Sequence, residues 1–277
     1  MADIKSINQN INAARSMELL GRVYTELSLM KLNKIRSRIE ENTSFADEIS
    51  KIFSIVKQQA LKNGIKDEKI KKAVIVLTSN YRFYGNLEKP LLDMFNSQTN
   101  TPGREIDERI VVGKTGFSYI QAVRYSFPCR FISFKKDLPD QNELRSLTDI
   151  FKNFSTVLVY YSRFKNTLTQ IPFVSNITHS DDKEAIKEAP VLFEPEIGDI
   201  LNFFDTQIID LLLEQAFLGA ELSRTASRLI SMDQAQLNAK KYAKEQNSLL
   251  LVANKIKNNS RILGKVSAIQ FWRQDYG

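Results

Sequence analysis

The sequence contains few residues that could catalyse a reaction or hold a metal ion. It has one cysteine, Cys129, and one histidine, His179, so neither a disulfide nor a cysteine metal site is expected. His179 lies in a charged segment, where a histidine is more often a surface residue than a catalyst. Cys129 lies in a predicted strand, where cysteine commonly acts as a small buried hydrophobe. We therefore expect a protein that is not an enzyme and binds no cofactor or metal itself.

One short motif resembles part of a nucleotide site. Gly113-Lys114-Thr115 matches the end of the phosphate-binding P-loop, whose backbone must wrap around the phosphates. That loop needs a further glycine five residues before Gly113, and the residue at that position is Glu108. The motif therefore fails, and a tight turn between a strand and a helix accounts for it.

Basic residues are concentrated near the two ends of the chain. The net charge is +7, and residues 220–277 carry ten Lys and Arg against four Asp and Glu. A second basic group comprises Lys31, Lys34, Arg36 and Arg38. Such segments favour an acidic partner, which could be nucleic acid, an anionic membrane surface or an acidic protein lining. Aromatic residues are sparse among these charges, which argues against stacking on single-stranded nucleic acid. The alternative interpretation of each basic group is a solvated helix face.

The distribution of proline predicts the elements that carry these charges. All seven prolines lie between residues 90 and 195, and residues 1–89 and 196–277 contain none. Because proline costs about 3 kcal/mol inside a helix, two long terminal helices are expected. Residues 200–271 as one helix would span about 100 Å, which is longer than a small domain is wide.

The first helix carries an apolar pattern typical of a coiled coil. Ile4, Ile7, Ile11 and Ala14 are spaced by three, four and three residues. The same spacing returns in Met17, Leu20, Tyr24 and Leu27 after a shift of three residues. We therefore expect the helix–helix seam to continue through this second set, with a stammer that overwinds the supercoil.

The middle of the chain alternates between strand and helix patterns, which predicts an α/β unit with a mainly parallel sheet. The expected fold class is α/β plus coiled coil, in which long antiparallel terminal helices flank a Rossmann-like domain of about five strands. Residues 1–60, 61–195 and 196–277 are the expected N-terminal helix, α/β domain and C-terminal helix. Predicted strands are Ala73–Thr78, Ile106–Val112, Cys129–Phe134, Thr156–Arg163 and Thr167–Ile177, and predicted helices are Leu87–Phe95, one from Phe117, and Asn142–Phe154.

No apolar segment near the amino terminus is typical of a signal peptide, and no apolar run is long enough to span a bilayer. A cytoplasmic location is therefore expected.

Several motifs, in order and with matching gaps, resemble the gamma subunit of F-type ATP synthases along nearly the whole chain. The segment from Tyr161 to Pro172 is similar to that family's Y-N-K-F-I-N-T-M-S-Q-V-P, and Phe193–Glu196 resembles Y-E-P-D. Ile4–Ile7 resembles the family's opening I-R-x-x-I, and Gly113–Gly116 lies where the family has G-S-K-G. Further matches are Lys31, Lys34 and Arg38 with S-K-M-R-K-S-Q-D-R, Arg228 with A-R-M-V-A-M-K, and Asn254-Lys255 with Y-N-K-A-R-Q.

The resemblance implies a non-catalytic rotor subunit whose helices form a shaft inside a ring of six alpha- and beta-like nucleotide-binding subunits. ATP, ADP and Mg would be bound in the ring, and the α/β domain would be a foot below it. The chain would lie peripherally on the inner face of the cell membrane. The implied ring contacts are Lys31, Lys34, Arg38, Arg228, Lys255, Lys257 and Asn258, and the implied foot contacts are Tyr81, Arg82, Tyr84, Phe193 and Glu194.

The sequence departs from the family at some of these places. Arg224 stands where the family has Glu, and Lys257-Asn258 replaces an Arg-Gln pair. The segment Thr78–Leu87 lacks an Asp and two glycines of the family's T-S-D-R-G-L-C-G-G-L-N. A proton-transporting synthase with an epsilon-like subunit and membrane ring is one possibility. A repurposed motor, such as the gliding-motility ATPases of wall-less (mycoplasma-type) bacteria, is another. The alternative from a different class is a basic coiled-coil scaffold or nucleic-acid-binding protein.

Overall fold

Two long helices enclose an α/β region. The computed structural model describes residues 3–62, 71–81, 83–101, 105–123, 125–178 and 197–275. Helix α1 comprises Ile4–Lys62 and helix α5 comprises Ile197–Asp275, which confirms the prediction from proline distribution. The elements between them are β1 (Lys72–Leu77), α2 (Glu88–Thr99), β2 (Glu108–Val112), α3 (Lys114–Val123), β3 (Arg130–Ile132), α4 (Gln141–Phe151), β4 (Thr156–Phe164) and β5 (Gln170–Asn176).

The strands form one five-stranded sheet in the order β3-β2-β1-β4-β5. Strands β1 to β4 pair in parallel, and β5 pairs antiparallel with β4 across a short hairpin. This confirms the expected mainly parallel, Rossmann-like sheet. The strands are apolar because both faces of the sheet are covered, and Ile75, Val76 and Val159 are completely buried.

Helices cover the two faces of the sheet differently. Helix α4 and the first part of α5 pack on one face, where Leu147, Phe151, Leu213 and Phe217 form the larger apolar cluster with the strands. Helices α2 and α3 cover the other face, where Phe95 packs against Val76 and Tyr160 in the second cluster. The connections after β1 and β3 therefore leave the sheet towards opposite faces.

The chain divides into two compact units, and each terminal helix contributes to both. The first unit contains residues 1–27 and 229–277, and the second contains residues 28–228. In the second unit, Arg38 Nη2 of α1 donates to Glu214 Oε1 of α5 at 2.9 Å, and Lys31 contacts Glu221. Since residue numbers rise on one helix as they fall on the other, the helices are antiparallel, as expected.

In the unit of residues 1–27 and 229–277, the seam differs from the predicted one. Met17, Leu20, Tyr24 and Leu27 are all exposed, so the expected stammer is wrong. The buried positions along α1 instead keep an uninterrupted seven-residue repeat: Ile7, Ile11, Ala14, Gly21, Ser28, Leu32 and Ile35. The apolar pattern misled because small residues occupy the seam where the helices approach closely. At Gly21, a Cβ atom would lie 3.0 Å from Gln236 Cβ and 3.1 Å from the Met232 carbonyl oxygen.

None of the helices in the described ranges is long and apolar enough to span a membrane.

Candidate functional site

Two buried charges of opposite sign lie on the face of α5 that packs into the second unit. Glu221 and Arg224 are 1% and 2% exposed, and their spacing of three residues brings them together on a helix. Arg224 Nε donates to Glu221 Oε2 at 3.0 Å, and its Nη2 donates to the Asp137 carbonyl oxygen at 3.3 Å. Lys31 Nζ donates to the other oxygen of Glu221. The carboxylate is thus held from both helices.

This surrounding keeps both groups charged. Burial alone would raise the pKa of Glu221, but the positive charges of Arg224 and Lys31 outweigh it, so the pKa is lowered. Burial alone would lower the pKa of Arg224, but Glu221, Asp137 and Glu88 outweigh it, so the pKa is raised. The pair is therefore a fixed salt bridge inside the protein.

Asp137, in the connection between β3 and α4, joins this pair to the connection after β1. Its Oδ1 accepts the Asn80 amide at 2.7 Å, and its Oδ2 accepts the Tyr84 hydroxyl at 2.7 Å. Arg228 Nη2 donates to the Tyr84 hydroxyl at 2.6 Å, and its guanidinium lies 4.5 Å from the centre of that ring. Burial and the neighbouring Asp137 raise the pKa of Tyr84, so its hydroxyl stays protonated.

A cleft with a mixed charged and aromatic lining opens beside this network. Five residues singled out in the sequence lie around it: Lys31, Arg38, Tyr81, Tyr84 and Arg228. Lys136, Asp137, Leu138, Pro139, Asp140, Gln141 and Glu221 complete the lining. The fold thus brings together residues that were expected to serve two separate contacts, one with a ring and one at a foot.

The remaining candidate residues lie elsewhere. Lys34 is exposed on α1 and does not line the cleft. Lys255, Lys257 and Asn258 are exposed on α5 in the other unit. There, Lys257 borders an apolar groove between the two helices, which Ile4, Ile7, Leu249, Val252 and Ile256 line. Arg82, Phe193 and Glu194 lie outside the described residues.

The Gly113-Lys114-Thr115 motif forms the tight turn that the sequence suggested. Gly113 has a φ of +98°, and a Cβ atom there would lie 2.4 Å from the Thr78 carbonyl oxygen. The first amides of α3 already donate to protein oxygens, because Thr115 N contacts Ser79 O and Gly116 N contacts Thr78 Oγ1. The turn therefore fastens α3 to the end of β1 and leaves these amides unavailable to a phosphate.

The described residues hold little chemistry for catalysis. No group of three or more His, Cys, Asp or Glu among them could hold a metal ion. Burial raises the pKa of the Cys129 thiol, which makes it a poorer nucleophile. His179 lies outside the described residues.

Sequence reasoning missed the residues that organise the site. Arg224 was noticed only as a departure from a family pattern, while Glu221, Asp137, Lys136 and Glu214 were not singled out. The spacing of Glu221, Arg224 and Arg228 places all three near one face of α5, among apolar residues. Charges on an apolar helix face are a signal that could have identified them.

Comparisons with known proteins agree with this architecture. A family model described as ATP synthase matches residues 3–257. The ATP synthase gamma chain of Renibacterium salmoninarum is 24% identical over 267 residues, covering 88% of this chain and 89% of the relative. That of Pseudarthrobacter chlorophenolicus is 26% identical over 274 residues, covering 89% and 92%.

Two solved structures share the fold. One is a chain of the Tetrahymena thermophila mitochondrial ATP synthase central stalk and c-ring, with a TM-score of 0.60 and 15% identity, covering 78% of this chain and 99% of that one. The other is from the Euglena gracilis mitochondrial ATP synthase, with a TM-score of 0.51 and 14% identity, covering 87% and 94%. Since the family model spans both terminal helices and the sheet, this chain belongs to the ATP synthase family, in which its curated relatives are gamma chains.

Proposed function

We propose that this chain is the central-stalk, or rotor, subunit of an F-type or F-type-like rotary ATPase. It couples nucleotide turnover in a ring of six alpha- and beta-like subunits to rotation of its paired helices. The match of the family model over residues 3–257 carries the proposal, because it includes both helices and the sheet. In this role the chain is not itself catalytic, and the ring binds ATP, ADP and Mg.

The surface of the long helices supports this role. From Leu249 to Ile269, α5 exposes large apolar side chains, and basic side chains are exposed between them. An extended apolar surface of this kind is uncommon on a protein that functions alone. Lys34, Lys255, Lys257 and Asn258 are exposed and positioned to meet acidic groups of a ring. Lys31, Arg38 and Arg228 are the proposed ring contacts nearer the sheet.

The same proposal assigns the other end of the subunit to the load that it turns. Tyr81 and Tyr84, together with Arg82, Phe193 and Glu194, are the proposed contacts with the remaining rotor parts. Those parts are an epsilon-like subunit and a membrane ring in a proton-transporting synthase, or motility proteins in a repurposed motor. Either load places the chain peripherally on the inner face of the cell membrane.

Co-purification tests the proposal. The tagged full chain is expressed with the P-loop ATPase subunits of the same organism, and recovery of a complex containing six such subunits is expected. ATPase activity should appear in that complex and be absent from the isolated chain. Recovery of the chain only as a homodimer, or bound to nucleic acid, would overturn the proposal, and so would nucleotide turnover by the chain alone.

A pair of matched variants tests the ring contacts within that complex. The double variant Lys255→Glu/Lys257→Glu should weaken retention of the chain by the ring, because it reverses two exposed charges on α5. The control Lys89→Glu/Lys114→Glu makes the same change of net charge at exposed positions on α2 and α3. Equal retention of the two variants would contradict the assigned contacts while leaving the rotor role intact.

A further inference from the structure

The cleft beside Asp137 has features that the rotor role does not use. It lies at the carboxyl ends of the parallel strands, between the connection after β1, which carries Tyr81, and the connection after β3, which carries Lys136. These connections lead to helices on opposite faces of the sheet. In open α/β sheets, ligands bind in the crevice that forms where connections diverge in this way. The volume of about 460 Å³ is within the range of small-molecule sites.

The negative charges of the cleft are already occupied by the protein. Both oxygens of Asp137 accept hydrogen bonds, from Asn80 N and from the Tyr84 hydroxyl. Both oxygens of Glu221 are held by Lys31 and Arg224. Asp140 is the first residue of a capping box, in which its side chain accepts the Glu143 amide at the start of α4. These three carboxylates therefore offer little to a cation and little repulsion to an anion.

The positive charges, in contrast, retain donors that can bind a ligand. Lys136 is exposed and has no hydrogen-bond or ion-pair partner within the described ranges. Arg38 uses one donor for Glu214 and keeps about half of its side chain exposed. Lys31 is similarly half-exposed, although one of its protons is directed to Glu221. Arginine has five N–H donors and lysine has three, so each retains donors for a phosphate. The start of α4 at Gln141 adds the positive end of a helix dipole.

We propose that this cleft binds a phosphate-bearing small molecule. The phosphate lies between Lys136, Lys31 and Arg38, near the first turn of α4. Tyr81, half-exposed at the cleft, is placed to contact an attached ring if the ligand is a nucleotide. The ligand can be a free polyphosphate or a nucleotide, and the common feature is the phosphate group. This binding does not require a ring of partner subunits, so it stands apart from the rotor role.

Titration calorimetry on the isolated full-length chain, without magnesium, tests the proposal with pyrophosphate and ADP as probes. Both are expected to bind with a dissociation constant of about 1 mM or below. The variant Lys136→Glu should weaken pyrophosphate binding about tenfold or more, because it reverses a charge at the cleft. Its control is Lys135→Glu, which makes the same change of net charge at the neighbouring exposed residue, outside the cleft lining. The control should change the affinity less than about twofold.

The Tyr81→Ala variant separates the two ligand sources. A weaker affinity for ADP with an unchanged affinity for pyrophosphate identifies a nucleotide site, and equal affinities identify a polyphosphate site. Absence of binding at about 10 mM probe would overturn the proposal. Equal losses in Lys136→Glu and Lys135→Glu would overturn it too, since they would show attraction to the overall charge of the protein. Binding of an acidic peptide but of neither phosphate probe would assign the cleft to a protein partner instead.

Discussion

The two parts of helix α5 contrast sharply although they belong to one continuous helix. In the unit of residues 28–228, the stretch from Ile208 to Ala226 is buried on most sides, and even Arg224 is inaccessible to solvent. In the unit of residues 1–27 and 229–277, the helix is exposed along most of its length, and Leu251 and Leu263 are 65% and 66% exposed. The first part has its partners within the chain. The second exposes apolar side chains that only another molecule could cover, as the rotor proposal requires.

Removal of Arg224 should have the largest effect. Arg224→Met leaves Glu221 buried with only Lys31 as a charged partner, and the expected loss is about 4 kcal/mol in the free energy of unfolding. Urea denaturation followed by circular dichroism measures it. The double variant Glu221→Leu/Arg224→Met should recover most of this loss, because it removes both buried charges. A double variant no more stable than Arg224→Met would contradict the salt-bridge explanation.

Leucine truncations in the two parts of α5 test the contrast directly. Leu213 is completely buried between the sheet and α4, so Leu213→Ala should cost about 3 kcal/mol. Leu251→Ala removes the same atoms from an exposed site and should change the stability of the isolated chain by less than about 0.5 kcal/mol. Both values come from the same denaturation measurement. If the two losses were similar, α5 would not have two different environments.

Acidification should affect the buried salt bridge selectively. The folded-state pKa of Glu221 is lowered from its ordinary value of 4.5, so its contribution to stability is present above that pH. This contribution is lost as the pH falls below 4.5 through the folded-state pKa, by at most about 1.4 kcal/mol per pH unit. Unfolding free energies from pH 6 to pH 3 should therefore fall less steeply in Glu221→Gln than in the unaltered chain. Identical slopes would exclude Glu221 as a source of the acid sensitivity.

Two glycine substitutions in the more exposed unit should have small and opposite effects. Gly264→Ala introduces a Cβ atom that meets nothing within 4 Å, so the gain in helix propensity should stabilise α5 locally by up to about 1 kcal/mol. Gly21→Ala places a Cβ atom 3.0 Å from Gln236, so the contact should cancel this gain or exceed it. Amide hydrogen exchange along α1 and α5 measures both effects. Stabilisation by Gly21→Ala would argue against a close helix contact at this position.

Much of the architecture was predictable from the sequence because it depends on local patterns. Confinement of all seven prolines to the middle of the chain was enough to predict α1 and α5. The β-branched run Ala73–Leu77 and the alternation that follows it predicted the parallel sheet, and the order of motifs such as Tyr161–Pro172 indicated the family. These signals rest on backbone sterics and on hydrophobic periodicity, which act over a few residues.

The helix seam and the cleft were decided by the tertiary structure. Apolar periodicity favoured Met17 and Leu20 for the seam, yet the close approach of the helices selects Gly21 and leaves those larger side chains exposed. Arg224 is buried as a charge only because Glu221, Lys31 and Asp137 meet around it, and two of these lie on elements far away in the sequence. Short-range sequence patterns report which residues prefer to be buried. Whether a charge or a glycine can be buried depends on partners that only the folded chain brings together.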